Sequence, residues 1–139
     1  MRIQHGHATV KTGGHVSVEN ITQAVRDLVR EAGVSDGLAV VTVPHTTCGL
    51  TVNEDEGGLR KDITRLAATI LEPLEREAGF EHNCIDNNAR AHLTSLLLGH
   101  SVNVPVSGGE LVLGTWQSVF LIEMDGPRSR RVSVSVLGE

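Results

Sequence analysis

Four apolar runs close the chain: Ser101-Val-Asn-Val-Pro-Val106, Glu110-Leu-Val-Leu-Gly114, Trp116-Gln-Ser-Val-Phe-Leu-Ile-Glu-Met124 and Arg130-Arg-Val-Ser-Val-Ser-Val-Leu137. The runs are rich in β-branched residues, and two of the breaks between them, Ser107-Gly-Gly109 and Asp125-Gly-Pro127, carry turn residues. They read as strands and predict an antiparallel C-terminal meander. In 116–124 one face carries Gln117, Val119, Leu121 and Glu123, and the other carries Trp116, Phe120, Ile122 and Met124. A carboxylate in so apolar a strand is costly without a partner, and Arg128, Arg130 and Arg131 follow within eight residues.

Upstream, the period changes. Ile21, Ala24, Val25, Leu28, Val29 and Ala32 recur at helical spacing, with Asn20 or Thr22 able to cap the start and Gly33 the stop. A second helix is expected over 58–71, closed by Pro73, and a third over 88–98, stopping at Gly99. Residues 2–10, 38–44 and 49–52 read as further strands. No repeat or linker interrupts the 139 residues, so the expectation is one domain over 1–139, of α+β class, with packed and largely antiparallel sheets and about three helices.

Composition narrows the function. The core is aliphatic, because Phe80, Trp116 and Phe120 are the only aromatics, and no aromatic row exists for base stacking. A net charge of −5 argues against a nucleic-acid surface. No apolar stretch approaches the ~18 residues of a membrane span, and the N-terminus lacks a signal-peptide run. Two cysteines without a CxxC pair fit a reducing compartment. The expectation is a cytoplasmic protein that binds neither membrane nor nucleic acid.

Three polar clusters carry the chemistry. In His82-Asn-Cys-Ile-Asp-Asn-Asn-Ala-Arg-Ala-His92, the loop residues His82 and Asp86 can fold back toward His92 on the third helix. Imidazole and carboxylate both suit zinc, although Asp86 or Asn87 can equally be a helix cap. The second cluster, Pro44-His-Thr-Thr-Cys-Gly49 with Asn53-Glu54, leaves a buried strand. There His45 is either a metal ligand or a general base, Thr46 and Thr47 offer hydroxyls to phosphate, and Cys48 is either a thiolate ligand or a small apolar residue. The third is the arginine turn, either a phosphate clamp or a set of ion pairs.

Together, His45-Thr-Thr-Cys-Gly-Leu-Thr-Val-Asn-Glu54, the 82–92 stretch, Leu113-Gly-Thr-Trp-Gln117 and Glu123-Met-Asp-Gly-Pro-Arg128 resemble the YjbQ-like family, whose members are labelled secondary thiamine-phosphate synthases. The resemblance runs from about residue 3 to residue 136. It implies an α+β fold, a homotrimer, and a divalent metal (zinc, with magnesium possible during turnover) held by His45, His82 and His92, with Cys48 or Asp86 as further candidates. The activity it implies joins a pyrimidine diphosphate to a thiazole phosphate with release of pyrophosphate. His45, Glu54 and Arg128 would be catalytic, and Thr46, Thr47, Asn53, Asp86, Gln117 and Arg130 would bind the phosphorylated substrate. The alternatives are a non-catalytic trimeric metal- or ligand-binding protein and a metal-dependent phosphoester hydrolase.

Overall fold

The structure, a computed structural model, describes all residues from Met1 to Glu139. Eight strands form two antiparallel sheets. They are β1 (Arg2–Lys11), β2 (Ser17–Asn20), β3 (Gly37–Thr42), β4 (Cys48–Glu54), β5 (Ser101–Ser107), β6 (Glu110–Leu111), β7 (Gln117–Glu123) and β8 (Ser129–Gly138). One sheet runs β1-β8-β3-β5-β6 and the other β2-β7-β4. The helices are α1 (Thr22–Ala32), α2 (Gly57–Thr69), α3 (Glu72–Ala78) and α4 (Ala89–Leu98). The class is α+β. No helix is long and apolar enough to cross a membrane.

The main core lies between the sheets. Val41, Val104, Val132 and Val134 of the larger sheet meet Leu50, Val119 and Leu121 of the smaller, and Val25 and Val29 of α1 join them. A second cluster covers the outer face of the smaller sheet, where Phe120, Ile122 and Met124 pack with Ala91 of α4 and with Ile63 and Ala67 of α2. The central strand β7 is therefore buried on both faces, which explains its unbroken apolar run. The alternation read from its sequence holds: the odd positions face the inter-sheet core and the even positions face the helices.

Pairing departs from the meander. Only β5 and β6 form a local hairpin; β7 crosses to the other sheet between β2 and β4, and β8 inserts between β1 and β3. Alternation specifies which face of a strand is apolar but not which neighbour it takes. The strand expected over 110–114 stops at Leu111. Pro73 does more than end α2, because it occupies the first turn of α3, a position where its missing N–H costs nothing. The four-residue β2 is too short to show a period. Gly33 and Gly99 end α1 and α4 with positive φ, as expected.

One buried ion pair spans the two sheets. Glu123 ends β7 on the same face as Val119 and Leu121, and Arg130, the second residue of β8, lies on the face of Val132 and Val134. Arg130 Nε donates to Glu123 Oε1 at 2.8 Å and Nη2 donates to Oε2 at 2.5 Å, with the side chains 3 % and 0 % exposed. Thr12 Oγ1 and the backbone N–H groups of Met124 and Asp125 also donate to this carboxylate. Burial favours the neutral acid, but the hydrogen bonds from Arg130 and Thr12, with the arginine charge, outweigh it and hold Glu123 below its ordinary value of 4.5.

Removing one partner strands a buried charge, so Arg130→Met should cost about 3–5 kcal/mol in denaturant unfolding. The double variant Glu123→Leu/Arg130→Met should recover only part of this, because the Thr12 hydroxyl and two backbone N–H groups then lack their acceptor. Because its folded pKa is depressed, Glu123 contributes stability that is complete well above pH 4.5 and lost as pH falls through the folded value. The acid limb of a stability–pH curve should therefore flatten in Glu123→Gln.

Candidate functional site

The segment from Val43 to Thr47 leaves β3 and turns back into β4, and it is moored by the ion pair. Arg130 Nη2 donates to Thr47 Oγ1 (2.8 Å) and to the Thr47 carbonyl (3.2 Å). Gly49 then lets the end of α4 lie against β4: a Cβ there would sit 2.7 Å from Leu98 Cβ and 3.0 Å from the Gly99 carbonyl. These contacts open a cleft of about 500 Å3 between the segment and α4, with His45, Thr46, His92, Ser95 and His100 among its lining residues.

His45 is half-buried, and its Nε2 accepts the backbone N–H of Arg131 at 2.9 Å. Only an unprotonated Nε2 has the lone pair for that bond, so the neutral ring carries its proton on Nδ1. Burial, then the positive charge of Arg130, lowers the His45 pKa below 6.5, and Arg128 adds to this while Glu123 opposes it. His45 therefore stands neutral at pH 7 as a hydrogen-bond donor through Nδ1.

The 82–92 loop is tied to the arginine turn by a polar chain. Asn88 Nδ2 donates to Asp125 Oδ2 (3.0 Å), so its Oδ1 faces His82 and accepts from His82 Nε2 (2.9 Å). That leaves the His82 lone pair on Nδ1 when the ring is neutral. Asp125 in turn pairs with Arg128 Nη2 at 3.2 Å, and Arg128 Nε donates to the Asp125 carbonyl. Gly126 permits this close turn, since a Cβ would fall 2.6 Å from the Gly14 carbonyl and 2.7 Å from Glu123 Cγ. Arg128 remains about half exposed. The His82, His45 and Arg128 clusters thus meet at one end of the sandwich.

Several expected roles change. His92 meets the His82 ring edge-on, with centroids 4.7 Å apart, and lines the cleft with His45, yet no three His, Cys, Asp or Glu side chains converge as a metal centre would require. His45 gives its one lone pair to the Arg131 N–H, so, although His82 keeps Nδ1 free, the three imidazoles as placed do not gather on a shared ion within one chain. Cys48 is fully buried opposite Glu123, and burial pushes its thiol up to about 11, so it is an apolar residue and not a thiolate ligand. Thr47 and Arg130 are internal struts with no free face for substrate. Asp86 is exposed in its loop.

Asn53, Glu54 and Gln117 lie at the far end of β4, where Glu54 is opposite Gln117; the six-residue span from Cys48 carries them roughly 20 Å from the His45 end. Gln117 Oε1 accepts the Gly114 N–H and fixes the 114–117 turn. Conversely, sequence reasoning overlooked Asn88, Asp125 and His100. The detectable signal was Asp125 itself, two residues after a buried glutamate and three before Arg128.

NMR titration of ring-labelled protein should find His45 with a pKa below 6.5 and in the Nδ1–H tautomer. Because the folded value is lowered, this residue's contribution to stability is full above pH 6.5 and declines as pH falls toward the folded pKa. A pKa above 6.5, or the Nε2–H tautomer, would contradict the geometry.

The chain is similar to known proteins over almost its whole length. Residues 6–139 match the family model of UPF0047 protein YjbQ-like. A UPF0047 protein of Archaeoglobus fulgidus is 45 % identical over 93 % of this chain and 98 % of its own. The UPF0047 protein YugU of Bacillus subtilis is 35 % identical over 93 % of this chain and 96 % of its own. Among solved structures, a YbjQ-like protein from Sulfolobus solfataricus P2 superposes with a TM-score of 0.90 at 37 % identity, covering 99 % of both chains. A hypothetical protein from Aeropyrum pernix K1 gives 0.89 at 42 % identity, covering 98 % of this chain and 99 % of its own. An arrangement of strands this close at such identity, with the family model spanning all three polar clusters, makes the chain a member of the YjbQ-like UPF0047 family.

Proposed function

We propose that the His45–His92 cleft binds a phosphorylated small molecule and that the protein is a weak transferase of the thiamine-phosphate synthase type. The observation that carries this is a neutral, donor-bearing His45 in the cleft, with the half-exposed Arg128 near enough for its charge to act on that ring. In such a reaction the methylene carbon–oxygen bond of a pyrimidine diphosphate breaks and its electron pair leaves with pyrophosphate. The thiazole nitrogen supplies the pair for the new carbon–nitrogen bond. No proton has to leave that nitrogen, so the step needs donors for the departing oxygen and no general base. His45 Nδ1–H, the Thr46 hydroxyl and the Arg128 guanidinium are donors of this kind. The distance of Glu54 from them fits a step without a base. No part of this reading runs through a divalent ion, since one chain does not gather the ligands.

A second reading, a non-catalytic ligand-binding protein, is favoured by one observation: the Ser95 hydroxyl in the cleft is committed to the Cys48 carbonyl at 2.7 Å and is not free as a nucleophile. A homotrimer is part of the proposal. The ten-residue open edge of β1 and the 73 % exposed Trp116 support it, whereas β7 has no free edge to offer. A reducing cytoplasm suits the two free cysteines, Cys48 and Cys84.

With both substrates supplied, Arg128→Ala should lower kcat/KM by roughly ten- to hundredfold, the loss of one charge-assisted contact of about 1.5–3 kcal/mol, while Glu54→Gln leaves it unchanged. Equal turnover in wild type and Arg128→Ala removes the catalytic reading. Saturable pyrophosphate binding without turnover favours the binding reading. Light scattering should give three times the 14.9 kDa chain mass, and a monomer at micromolar concentration contradicts the trimer.

A further inference from the structure

Of the seven histidines, only His5 and His7 lie on a strand, and they are the one pair at alternate positions. Alternate residues share a face of the sheet, with their backbones about 6.7 Å apart. Here that face is the outer one. Gly6 between them is turned toward α1, where a Cβ would fall 2.9 Å from Leu28 Cδ2, so both imidazoles point away from the core and are exposed. The whole of β1 is paired with β8, from Arg2 opposite Gly138 to Lys11 opposite Ser129, which holds the two rings on a rigid element. The same register sets His5 opposite Ser135 and His7 opposite Ser133.

His5 Nδ1 lies 2.8 Å from Ser135 Oγ. With the serine accepting, the proton is fixed on Nδ1 and the lone pair sits on Nε2, at the far side of the ring. Metal-binding histidines have this arrangement, one ring nitrogen donating to an oxygen and the other coordinating. The adjoining charge by register is Arg131, opposite Thr9. A cation beside the pair disfavours calcium and magnesium, which need anionic oxygens, whereas neutral imidazole suits zinc, nickel and copper. We propose that His5 and His7 chelate one such late first-row divalent ion, through His5 Nε2 and a ring nitrogen of His7. Ser135 orients the His5 ring, and water fills the remaining positions, so the site is open and not a closed structural centre. No residue lining the histidine cleft belongs to β1, so this site and the phosphate-binding cleft stand or fall separately.

The test is an NMR titration of the full chain, labelled in its histidine rings, with zinc chloride alone and with magnesium chloride as the control. Zinc should shift the His5 and His7 rings together with one midpoint, and magnesium should shift neither. His5→Ala should weaken zinc binding at His7 by at least roughly tenfold, and His7→Ala should do the same at His5, because the second imidazole binds intramolecularly. Ser135→Ala should weaken binding at both rings and keep their midpoints equal. The two histidine side chains are exposed, so thermal unfolding of their variants without metal should match the wild type. The proposal is overturned if zinc leaves both rings unmoved. It is equally overturned if the rings titrate with different midpoints, or if each alanine variant leaves the other ring's midpoint unchanged, since either result would mean separate one-ligand contacts.

Discussion

The buried pair of Glu123 and Arg130 is the constraint on which the rest of the molecule depends. It joins the last residue of β7 in one sheet to the second residue of β8 in the other, at the end of an otherwise aliphatic interface. Two charges taken out of water are a net stabilising feature only when their remaining bonding capacity is filled. Here the carboxylate accepts from Arg130, Thr12, Met124 and Asp125, and the guanidinium also reaches Thr47. A pair of leucines would satisfy the core equally well. It would leave the 43–47 segment, the residue-12 crossing and the 125–128 turn without a common anchor. The pair therefore defines geometry at this end of the fold more than it adds stability.

Function follows from what that anchor positions. Arg130 fixes Thr47 through its side chain, and the next residue, Arg131, gives its N–H to His45, so one strand start sets both the segment and the tautomer of its histidine. The same arginine charge, together with burial, keeps His45 unprotonated. On the other flank Asp125, whose backbone N–H is bound by Glu123, holds Arg128 and Asn88, and Asn88 holds His82. His45 in the cleft and the 125–128 turn beside it thus have their orientations fixed by the fold, and fixed donors of this kind are what the proposed transfer would require to stabilise a departing anion.

Much of this was legible in the sequence and some was not, for identifiable reasons. The two-sided alternation of 116–124, the need of Glu123 for an arginine, and the stops at Gly33 and Gly99 are local properties, and each reads correctly. The partners of β7 and β8 are not local. A strand buried on both faces can be placed beside any neighbour that offers apolar cover, and here β2 and β4 took the positions a meander would have filled. Likewise His45 and Glu54 are nine residues apart in one motif, yet an extended strand separates them by most of the length of the sheet. Thr47 read as a phosphate ligand because a buried threonine and a solvent-facing one are identical on the page. The convergence of His82, Asn88, Asp125 and Arg128 required the fold.

The central claim is that the ion pair orders the cleft and does not simply hold the sheets together. Amide hydrogen exchange in Arg130→Lys tests it most directly, because lysine keeps the charge but loses the planar fork that reaches Glu123 and Thr47 together. Protection should fall selectively at Arg131, Met124 and residues 45–48, while Val41, Val104 and Val134 in the centre of the larger sheet exchange as in the wild type. Uniform loss of protection across both sheets, or none at Arg131, would contradict the account.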